Sequence, residues 1–558
     1  MRVLCLCVLC GLVLPAFALD RDAFTFTNYD LNIRVEPEQQ RLAVRGKITL
    51  RNDSAVPQKH LVLQVSSTLE WRSIQLDGKT VQFVTHQYTS DIDHTGALSE
   101  AVVNLPQEVS PKGSVELQVG YEGVLPRDAT RFTRIGLPED KAKHSDWDQI
   151  SRAFTAVRGI GYVAWYPVAA EAANLSEGNG VEQIVGRWQA REASSTMVVQ
   201  VECTCSQQIF FSGMANPRQK EAGVNTAGFS LTGPGIDVPT FIIADYQKLM
   251  PKQFLTIYYS SGQEDPAKEY AEVASQIDPI VPAGGELASL QILALPDPDA
   301  ATFVSRGMLL TPLKPALTNE AELSMVYALA RQTLRSPRPW IQDGLAHYAQ
   351  VAFIEKQQGR QTALNYLEAH FAALLPETGT DKTAADKSVR ALVEAPDDLY
   401  LQAKAMYVWW MLHEMVGDAL PEALNSYRAS DDTNPAYLQR LVEKAAHRDL
   451  QWFFDDWVYH DRGLPDFRVD SVFSSPLEKG GFLVTVTVEN LGNTGAEVPV
   501  ILKIEGSQLR KVLEVHARSK ASVRIEAASV PVEATVNDGS VPESNLDNNT
   551  YKIESSSR

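Results

Sequence analysis

The chain has 558 residues, which is too long for one hydrophobic core, and a prior of about 150 residues per domain predicts three or four folding units. Its formal net charge of −18 argues against nucleic acid and anionic membrane surfaces as partners. Beyond the N-terminus, no stretch reaches the roughly 20 uncharged residues that a spanning helix needs, so we expect no membrane span.

The first 18 residues have the pattern of a secretory signal peptide. Arg2 precedes an apolar run from Val3 to Leu14, and Ala16-Phe17-Ala18 provides a small-x-small cleavage site. We expect cleavage after Ala18 and a secreted or periplasmic mature protein. A lipoprotein anchored through Cys10 is a weaker interpretation, because almost no apolar segment precedes that cysteine.

Two cysteines remain after the signal, Cys203 and Cys205, at the end of the strand-like run that begins at Met197. Side chains two positions apart face the same side of a strand. Two buried thiols are the favoured interpretation, and a local disulfide in an oxidising compartment is the alternative. Neither interpretation provides a metal site.

The N-terminal part, residues 19–250, is predicted to be an antiparallel β domain. From Phe24 to about Tyr246 the pattern has period two and is rich in Val, Thr, Phe and Tyr, as in the segments Leu42–Leu50 and Ser114–Tyr121. Clusters of Gly, Pro, Asn and Asp separate these runs and predict the turns between strands.

Residues 251–467 are predicted to form an α/β and then helical domain. Strands are expected at Leu255–Tyr259 and from Leu290, with a helix at 266–280 between them. The first long helix is expected to begin at Asn319, which could cap it together with Glu322, and to end before Ser336-Pro337. Further helices are predicted from Pro339 past Phe353, at Thr362–Leu375, Leu399–Val416, Pro421–Tyr427 and Pro435–Val458. Strand patterns return after Gly463-Leu-Pro465 and predict a C-terminal β-sandwich at residues 468–558.

Three segments of the second domain carry a family resemblance. They are Trp340-Ile-Gln-Asp-Gly-Leu-Ala-His-Tyr348, the helix around Lys404-Ala405, and Phe453-Phe-Asp-Asp-Trp-Val458 followed by Gly463-Leu-Pro. With the order of domains, these segments resemble the zinc aminopeptidase family of membrane alanyl aminopeptidase, a group of gluzincin metallopeptidases. The resemblance implies a multidomain α+β fold with an N-terminal β domain, a thermolysin-like helical domain and a C-terminal β-sandwich.

The zinc-binding motif that the resemblance implies is missing. Active members carry H-E-x-x-H on one helix, because imidazoles at i and i+4 share a face and the glutamate acts as general base. The matching residues are Tyr327, Ala328 and Arg331, and no two of the ten histidines lie four positions apart. His413-Glu414 imitates the start of the motif, but Gly417 stands at the second ligand position, so we interpret His413 as a surface or packing residue.

Other family positions also differ. Asp343 replaces the glutamate that provides the third zinc ligand, and Gln402 replaces the tyrosine that steadies the oxyanion, with Tyr400 displaced by two residues. The loop that would grip a substrate's free amine reads Ser305-Arg-Gly-Met-Leu-Leu-Thr-Pro312 and has no glutamate.

An ion pair could replace the metal. An arginine is rarely buried without a partner, and Asp343 is the natural partner of Arg331. We therefore expect a charge-assisted pair with an N···O distance near about 2.8 Å. Asp343 and His347 stand at i and i+4 and form a less favoured alternative metal site. The tryptophans Trp165, Trp409 and Trp410 are expected in the core or a cleft wall.

The sequence therefore favours an exported protein that keeps the aminopeptidase architecture and has lost its zinc-binding and catalytic residues. It needs no cofactor in this interpretation, and a cleft could bind peptides or proteins. One alternative is an active metallopeptidase with a rearranged zinc site. Another is a structural or adhesive surface protein, which a cleft filled by side chains would favour.

Overall fold

The computed structural model describes residues 19–176, 180–216, 225–235, 237–252, 255–276, 290–314, 318–375, 391–394, 398–478 and 480–553. The predicted signal peptide lies outside these residues. The described elements follow the predicted order along the chain: a β-rich part, a mixed α/β part, a helical part and a second β-rich part. The multidomain α+β fold class is therefore as expected.

In its described residues, the N-terminal part contains three sheets. Strands β1 and β2 lie at the centre of the largest sheet, where Leu31, Ile33 and Val35 are fully buried in alternation with exposed residues. Its order is β12-β13-β10-β1-β2-β8-β4-β5, and the smaller sheets are β3-β7-β6 and β11-β14-β9. The strands are β1 Phe24–Glu36, β2 Arg41–Asn52, β3 Gln58–Ser66, β4 Leu69–Leu76, β5 Lys79–Thr80, β6 Gln82–Thr89, β7 Ala97–Val109, β8 Ser114–Val124, β9 Thr155–Val157, β10 Thr196–Cys203, β11 Gln208–Phe211, β12 Met214–Ala215, β13 Asn225–Thr232 and β14 Phe241–Ala244.

Two features of this part were not predicted. Strands β1 and β10 pair in parallel, with Tyr29 opposite Met197, whereas the other described strand pairs of this part are antiparallel as expected. A parallel pair needs a long connection between its two strands. The described chain between β1 and β10 contains three helices, which are the second feature that was not predicted. These helices are α1 Thr130–Arg134, α2 Glu139–Ser145 and α3 Val181–Glu192.

Cys203 and Cys205 are joined by a disulfide bond, so the favoured interpretation of two separate thiols is wrong. Strand β10 ends at Cys203, and Cys205 lies in a bend. The change in chain direction brings the two sulfur atoms together.

The α/β part is a five-stranded sheet with helix α4 Glu264–Gln276 packed on it. Three central strands are parallel, and an antiparallel strand flanks them at each edge in the order β15-β16-β17-β19-β18. The strands are β15 Gln247–Lys252, β16 Leu255–Tyr259, β17 Leu290–Ala294, β18 Phe303–Ser305 and β19 Met308–Thr311. Ile257, Ile292 and Leu309 are fully buried and form a core with the following helix.

The helical part begins with the two helices that carry the family motifs. Helix α5 starts at Asn319 as expected, but its cap is Thr318, whose Oγ1 accepts a hydrogen bond from the backbone N–H of Ala321 at 3.3 Å. The helices are α5 Asn319–Thr333, α6 Pro339–Gln358, α7 Arg360–Ala369, α8 Asp398–Val416, α9 Ala419–Ser426, α10 Tyr437–Ala446 and α11 Gln451–Phe454. Short 3-10 turns occur at Pro37–Gln39, Phe371–Leu374, Leu392–Glu394 and Ala429–Asp431, and a π turn at Asp455–Tyr459.

The prediction of a single helix from Pro435 to Val458 is wrong. His447 has a φ of 49°, in the left-handed region, and ends α10, so the chain forms two further short segments instead of a continuous helix.

Helices α6 and α8 cross at a glycine. A Cβ atom on Gly344 would lie 2.6 Å from the Cβ of Ala405, so only glycine permits this approach of the two helices. The indole N–H of Trp409 donates to the backbone oxygen of Trp340 at 3.0 Å across the crossing. Trp165, Trp409 and Trp410 are all buried, so their assignment to the core is confirmed.

The C-terminal strands form the expected β-sandwich. Alternate residues Val484, Val486 and Val488 on one sheet and Val498 and Val500 on the other are fully buried, as the period-two pattern predicts. The strands are β20 Phe467–Pro476, β21 Phe482–Asn490, β22 Ala496–Ile504, β23 Ser507–Val515, β24 Lys520–Ala527, β25 Glu533–Val536 and β26 Thr550–Lys552, in the sheets β20-β21-β24 and β23-β22-β25-β26. In the described part of the chain, no helix is both long and apolar enough to cross a membrane.

Candidate functional site

The turn between α5 and α6 is held by buried polar side chains. The backbone N–H of Ser336 donates to Oε1 of Gln342 at 2.9 Å, and the hydroxyls of Ser336 and Tyr427 are 2.8 Å apart. Arg338 donates to the carboxylate of Asp432 at 2.8 Å. These contacts fix where α6 begins and thereby place Asp343, in its second turn, beside α5.

The predicted ion pair between α5 and α6 is present. Nε of Arg331 lies 2.5 Å from Oδ1 of Asp343, and the hydroxyl of Tyr327 donates to the same oxygen at 3.0 Å. The Arg331 side chain is only 11% exposed, and that of Asp343 is 27% exposed. Tyr327 and Arg331, one turn apart on α5, therefore both bind the same carboxylate oxygen of α6.

A second carboxylate, which the sequence did not indicate, completes the cluster. Asp237 lies between β13 and β14, and its side chain is 3% exposed. Its Oδ1 accepts from Arg331 NH1 at 3.1 Å, and its Oδ2 accepts from Arg335 NH2 at 3.1 Å. Arg331 therefore lies between two carboxylates, one from the N-terminal β-rich part and one from α6.

Burial and charge act in opposite directions on Asp343. Burial alone would raise its pKa, but the charge of Arg331 and its hydrogen bond outweigh this effect and lower the pKa below the ordinary value. Burial would lower the pKa of Arg331, but the charges of the carboxylates Asp343 and Asp237 raise it instead. Both groups are therefore ionised at neutral pH.

His347 is held by packing and by an amide. Its Nδ1 lies 3.1 Å from Oε1 of Gln350, whose Nε2 donates to the backbone oxygen of Leu323 at 3.0 Å. The imidazole packs on the ring of Tyr327 with a centroid distance of 4.6 Å, and burial lowers the pKa of His347. A metal bound through Nδ1 of His347 would have to displace Gln350.

The residues that the sequence predicts at the zinc positions do not fit zinc. The guanidinium of Arg331 has no lone pair to give to a metal, and Oδ1 of Asp343 is already bound by two donors. Ala328, at the position of the general base, is a buried methyl group. Among the described residues, no group of three or more His, Cys, Asp or Glu side chains is arranged to hold a metal ion.

Helix α8 contributes a buried pair of polar side chains, Lys404 and Tyr400. Lys404 Nζ donates to the hydroxyl of Tyr400 at 2.7 Å, and both side chains are buried. Tyr400 thus lies on the Lys404 face, one turn earlier, whereas Gln402 lies on another face. At the end of this helix, Glu414 accepts hydrogen bonds from Arg360 and Arg510, and the imidazole of His413 lies near the ring of Tyr348, with a centroid distance of 6.0 Å.

The hairpin between β18 and β19 lies against α5. The backbone N–H of Gly307 donates to Oε1 of Gln332 at 2.9 Å, and Arg306 donates to Oγ1 of Thr232 at 3.1 Å. The segment in which the resemblance places a glutamate that binds the substrate's amine thus carries Arg306, close to the cluster of Arg331, Asp343 and Asp237.

Two cavities lie elsewhere. One of about 360 Å³, whose lining includes Arg127, Trp147 and Asp297, lies between the N-terminal β-rich part and the α/β part. The other, of about 500 Å³ and lined in part by Trp452 and His516, lies between the helical part and the sandwich. Neither is lined by residues of the Arg331–Asp343 cluster.

No protein-family model and no curated protein matches the chain. Among solved structures, it is similar to a point mutant of the M1 zinc metallopeptidase from Deinococcus radiodurans, with 17% identity over 80% of this chain and 97% of that chain and a TM-score of 0.49. The unmutated enzyme gives 16% identity, 77% and 92% coverage and a TM-score of 0.46. Yeast LTA4 hydrolase in complex with bestatin gives 14% identity, 78% and 68% coverage and a TM-score of 0.47.

Proposed function

We propose that this protein is an exported, non-catalytic relative of the zinc aminopeptidases that uses the surface around the Arg331–Asp343 pair to bind peptides or proteins. The observation that carries the proposal is the position of Arg331, 2.5 Å from Asp343 and 3.1 Å from Asp237. The guanidinium provides the positive charge that a divalent metal would otherwise provide to these carboxylates.

Three further observations support the loss of catalysis. Ala328 offers no proton-accepting group, so no general base stands where the H-E-x-x-H glutamate would be. Gln402 replaces the tyrosine that would steady an oxyanion. The β18–β19 hairpin has no carboxylate to hold a substrate's amine. A peptide could therefore be bound by this architecture without being cleaved.

Export and the division into domains belong to the same proposal. The signal-like residues 1–18 support export, and the Cys203–Cys205 disulfide suits an oxidising compartment. We place the domains at residues 19–250, 251–467 and 468–558. The first boundary falls within β15, Gln247–Lys252, and the second falls at the first residue of β20, Phe467.

The decisive experiment measures metal content and activity together. The purified mature protein is exposed to excess zinc, desalted and analysed by plasma mass spectrometry, and is assayed with a panel of aminoacyl fluorogenic substrates. We expect far less than one zinc per chain and no hydrolysis. The double variant Arg331→His/Asp343→Glu is expected to remain inactive, because position 328 is still alanine.

The alternative functions give different results. Near-stoichiometric zinc that a chelator removes together with activity would establish an active peptidase with a rearranged site. Absence of both zinc and peptide binding, with binding to an intact cell surface, would instead indicate a structural or adhesive role. Peptide binding is measured by titration calorimetry with N-acetylated tripeptides.

A further inference from the structure

Two arginines from different parts of the chain converge on one threonine. NH1 of Arg306, in the β18–β19 hairpin, donates to Thr232 Oγ1 at 3.1 Å and contacts its backbone oxygen at 3.4 Å. NH1 of Arg335, which follows α5, donates to the same Oγ1 at 3.3 Å, and NH2 donates to the backbone oxygen at 3.0 Å. Two guanidinium groups are therefore held side by side at the end of β13.

The charges around these arginines do not balance. Asp237 is shared by Arg335 and Arg331, and Asp343 is bound by Arg331. In the part of the chain that the structure describes, no carboxylate lies within ion-pair distance of Arg306. Burial lowers the pKa of Arg306, the charge of Arg335 lowers it further, and Asp237 compensates only in part. Three guanidinium groups thus share two carboxylates.

The uncompensated charge is accessible. Thr232 is exposed, and the Arg335 side chain is 35% exposed. Only NH1 of Arg306 is hydrogen-bonded within the described residues, so its Nε and NH2 groups remain available as donors. Arginine side chains of this kind bind oxyanions through paired, charge-assisted hydrogen bonds.

We propose that Arg306 and Arg335 form an oxyanion-binding site next to the Arg331–Asp343 pair and that this site binds a carboxylate group of a peptide ligand. The inference rests on the proposed peptide-binding function and specifies its ligand. An excess of one positive charge matches a monoanionic carboxylate better than a dianionic phosphate. In the zinc aminopeptidases that the sequence resembles, a glutamate in this hairpin binds the free amine of the substrate. An arginine in the same hairpin favours a negatively charged group of the ligand instead.

The test compares a peptide acid with its amide. Calorimetric titration of the mature protein with N-acetyl-trialanine is expected to give a Kd at least tenfold lower than with the same peptide as the C-terminal amide. Arg306→Gln is expected to make the two peptides equal, and Arg306→Lys to restore part of the preference. The control is Arg34→Gln, because Arg34 is 58% exposed and paired with Glu36 on a remote surface, and it should change neither Kd.

The unliganded variant provides a second measurement. Because Arg306 is repelled by Arg335, Arg306→Gln is expected to leave Tm unchanged or raise it. A decrease of several degrees would show that Arg306 is structural and would overturn the inference.

The remaining outcomes separate this inference from the proposed function. Equal binding of acid and amide by the unmodified protein supports peptide binding and overturns the oxyanion site. If neither peptide binds, acetate is titrated: binding that Arg306→Gln abolishes supports the carboxylate site and contradicts peptide binding, whereas no binding overturns both. Binding of inorganic phosphate more tightly than acetate overturns the assignment to carboxylate.

Discussion

Replacing Arg331 with methionine tests whether the guanidinium acts as the counter-charge of the cluster. Methionine replaces the aliphatic stem of arginine with an unbranched apolar side chain but removes the guanidinium. Of the two groups that donate to Oδ1 of Asp343, only the hydroxyl of Tyr327 remains. Asp237 keeps its bond to Arg335. Loss of one partner from a buried ion pair costs about 3–5 kcal/mol. Because Asp343 is 27% exposed, we expect the lower end, about 3 kcal/mol at pH 7.

The pH dependence has a defined sign. With Arg331 present, the pKa of Asp343 is lowered, so the pair stabilises the protein above the unfolded pKa of about 4 and this contribution is lost as the pH falls. Without Arg331, burial raises the pKa of Asp343, and the variant is penalised increasingly as the pH rises above about 4. The difference between the two proteins is therefore largest at neutral pH and decreases towards pH 4.

The assay is thermal unfolding by calorimetry at several pH values. A loss of about 3 kcal/mol corresponds to a decrease in Tm of roughly 6–12 °C for a folding unit of about 150–250 residues. The control is Arg72→Met, which removes an arginine that is 56% exposed and pairs with Glu70 and Glu122 at the surface, and we expect it to cost less than about 1 kcal/mol. Equal Tm values for Arg331→Met and the unmodified protein at pH 7, or a deficit that stays constant down to pH 4, would refute the reasoning.

Three other predictions concern different parts of the chain. Gly344→Ala is expected to lower the free energy of urea unfolding by about 1–3 kcal/mol, because the added Cβ would lie 2.6 Å from the Cβ of Ala405. The control is Gly186→Ala in α3, where no atom lies within 4 Å of the added Cβ, and it should stabilise the protein by up to about 1 kcal/mol. Equal effects of the two substitutions would contradict the close crossing of α6 and α8. Burial raises the pKa of Glu192 to about 7, whereas the unfolded value is about 4.3. The unmodified protein should therefore lose stability as the pH rises from about 4.3 to 7, because only the unfolded chain releases this proton readily. Glu192→Gln should remove that loss and be more stable than the unmodified protein at pH 8 by up to about 3 kcal/mol. N-terminal sequencing of exported protein should begin at Leu19, and intact Met1 would contradict export.

The sequence predicted those features that depend on local pattern. Apolar spacing placed α5 and α6 almost to the residue, and the rule that a buried arginine needs a partner led from Arg331 to Asp343, only 12 positions away. The same logic could not reach Asp237, which lies 94 positions from Arg331 in a loop whose path depends on the packing of the β-rich part against α5.

The errors have physical causes of the same kind. The parallel pairing of β1 with β10 joins segments that are far apart in the chain, and a period-two pattern is identical in parallel and antiparallel strands. Helix α10 ends at His447 without glycine or proline, so composition gave no signal for the break. Thr318 and Asn319 are both good capping residues, and only the backbone conformation distinguishes them.

The shared position of Arg331 between Asp237 and Asp343 also affects how the protein matures. The cation that joins the N-terminal β-rich part to α6 is part of the polypeptide, so its supply is always stoichiometric and does not depend on the zinc concentration of the compartment in which the chain folds. Folding of this junction should therefore be indifferent to chelators and to competing transition metals, whereas a site built from histidines must first release protons to be loaded. A protein of this design can assemble in environments where metal is scarce.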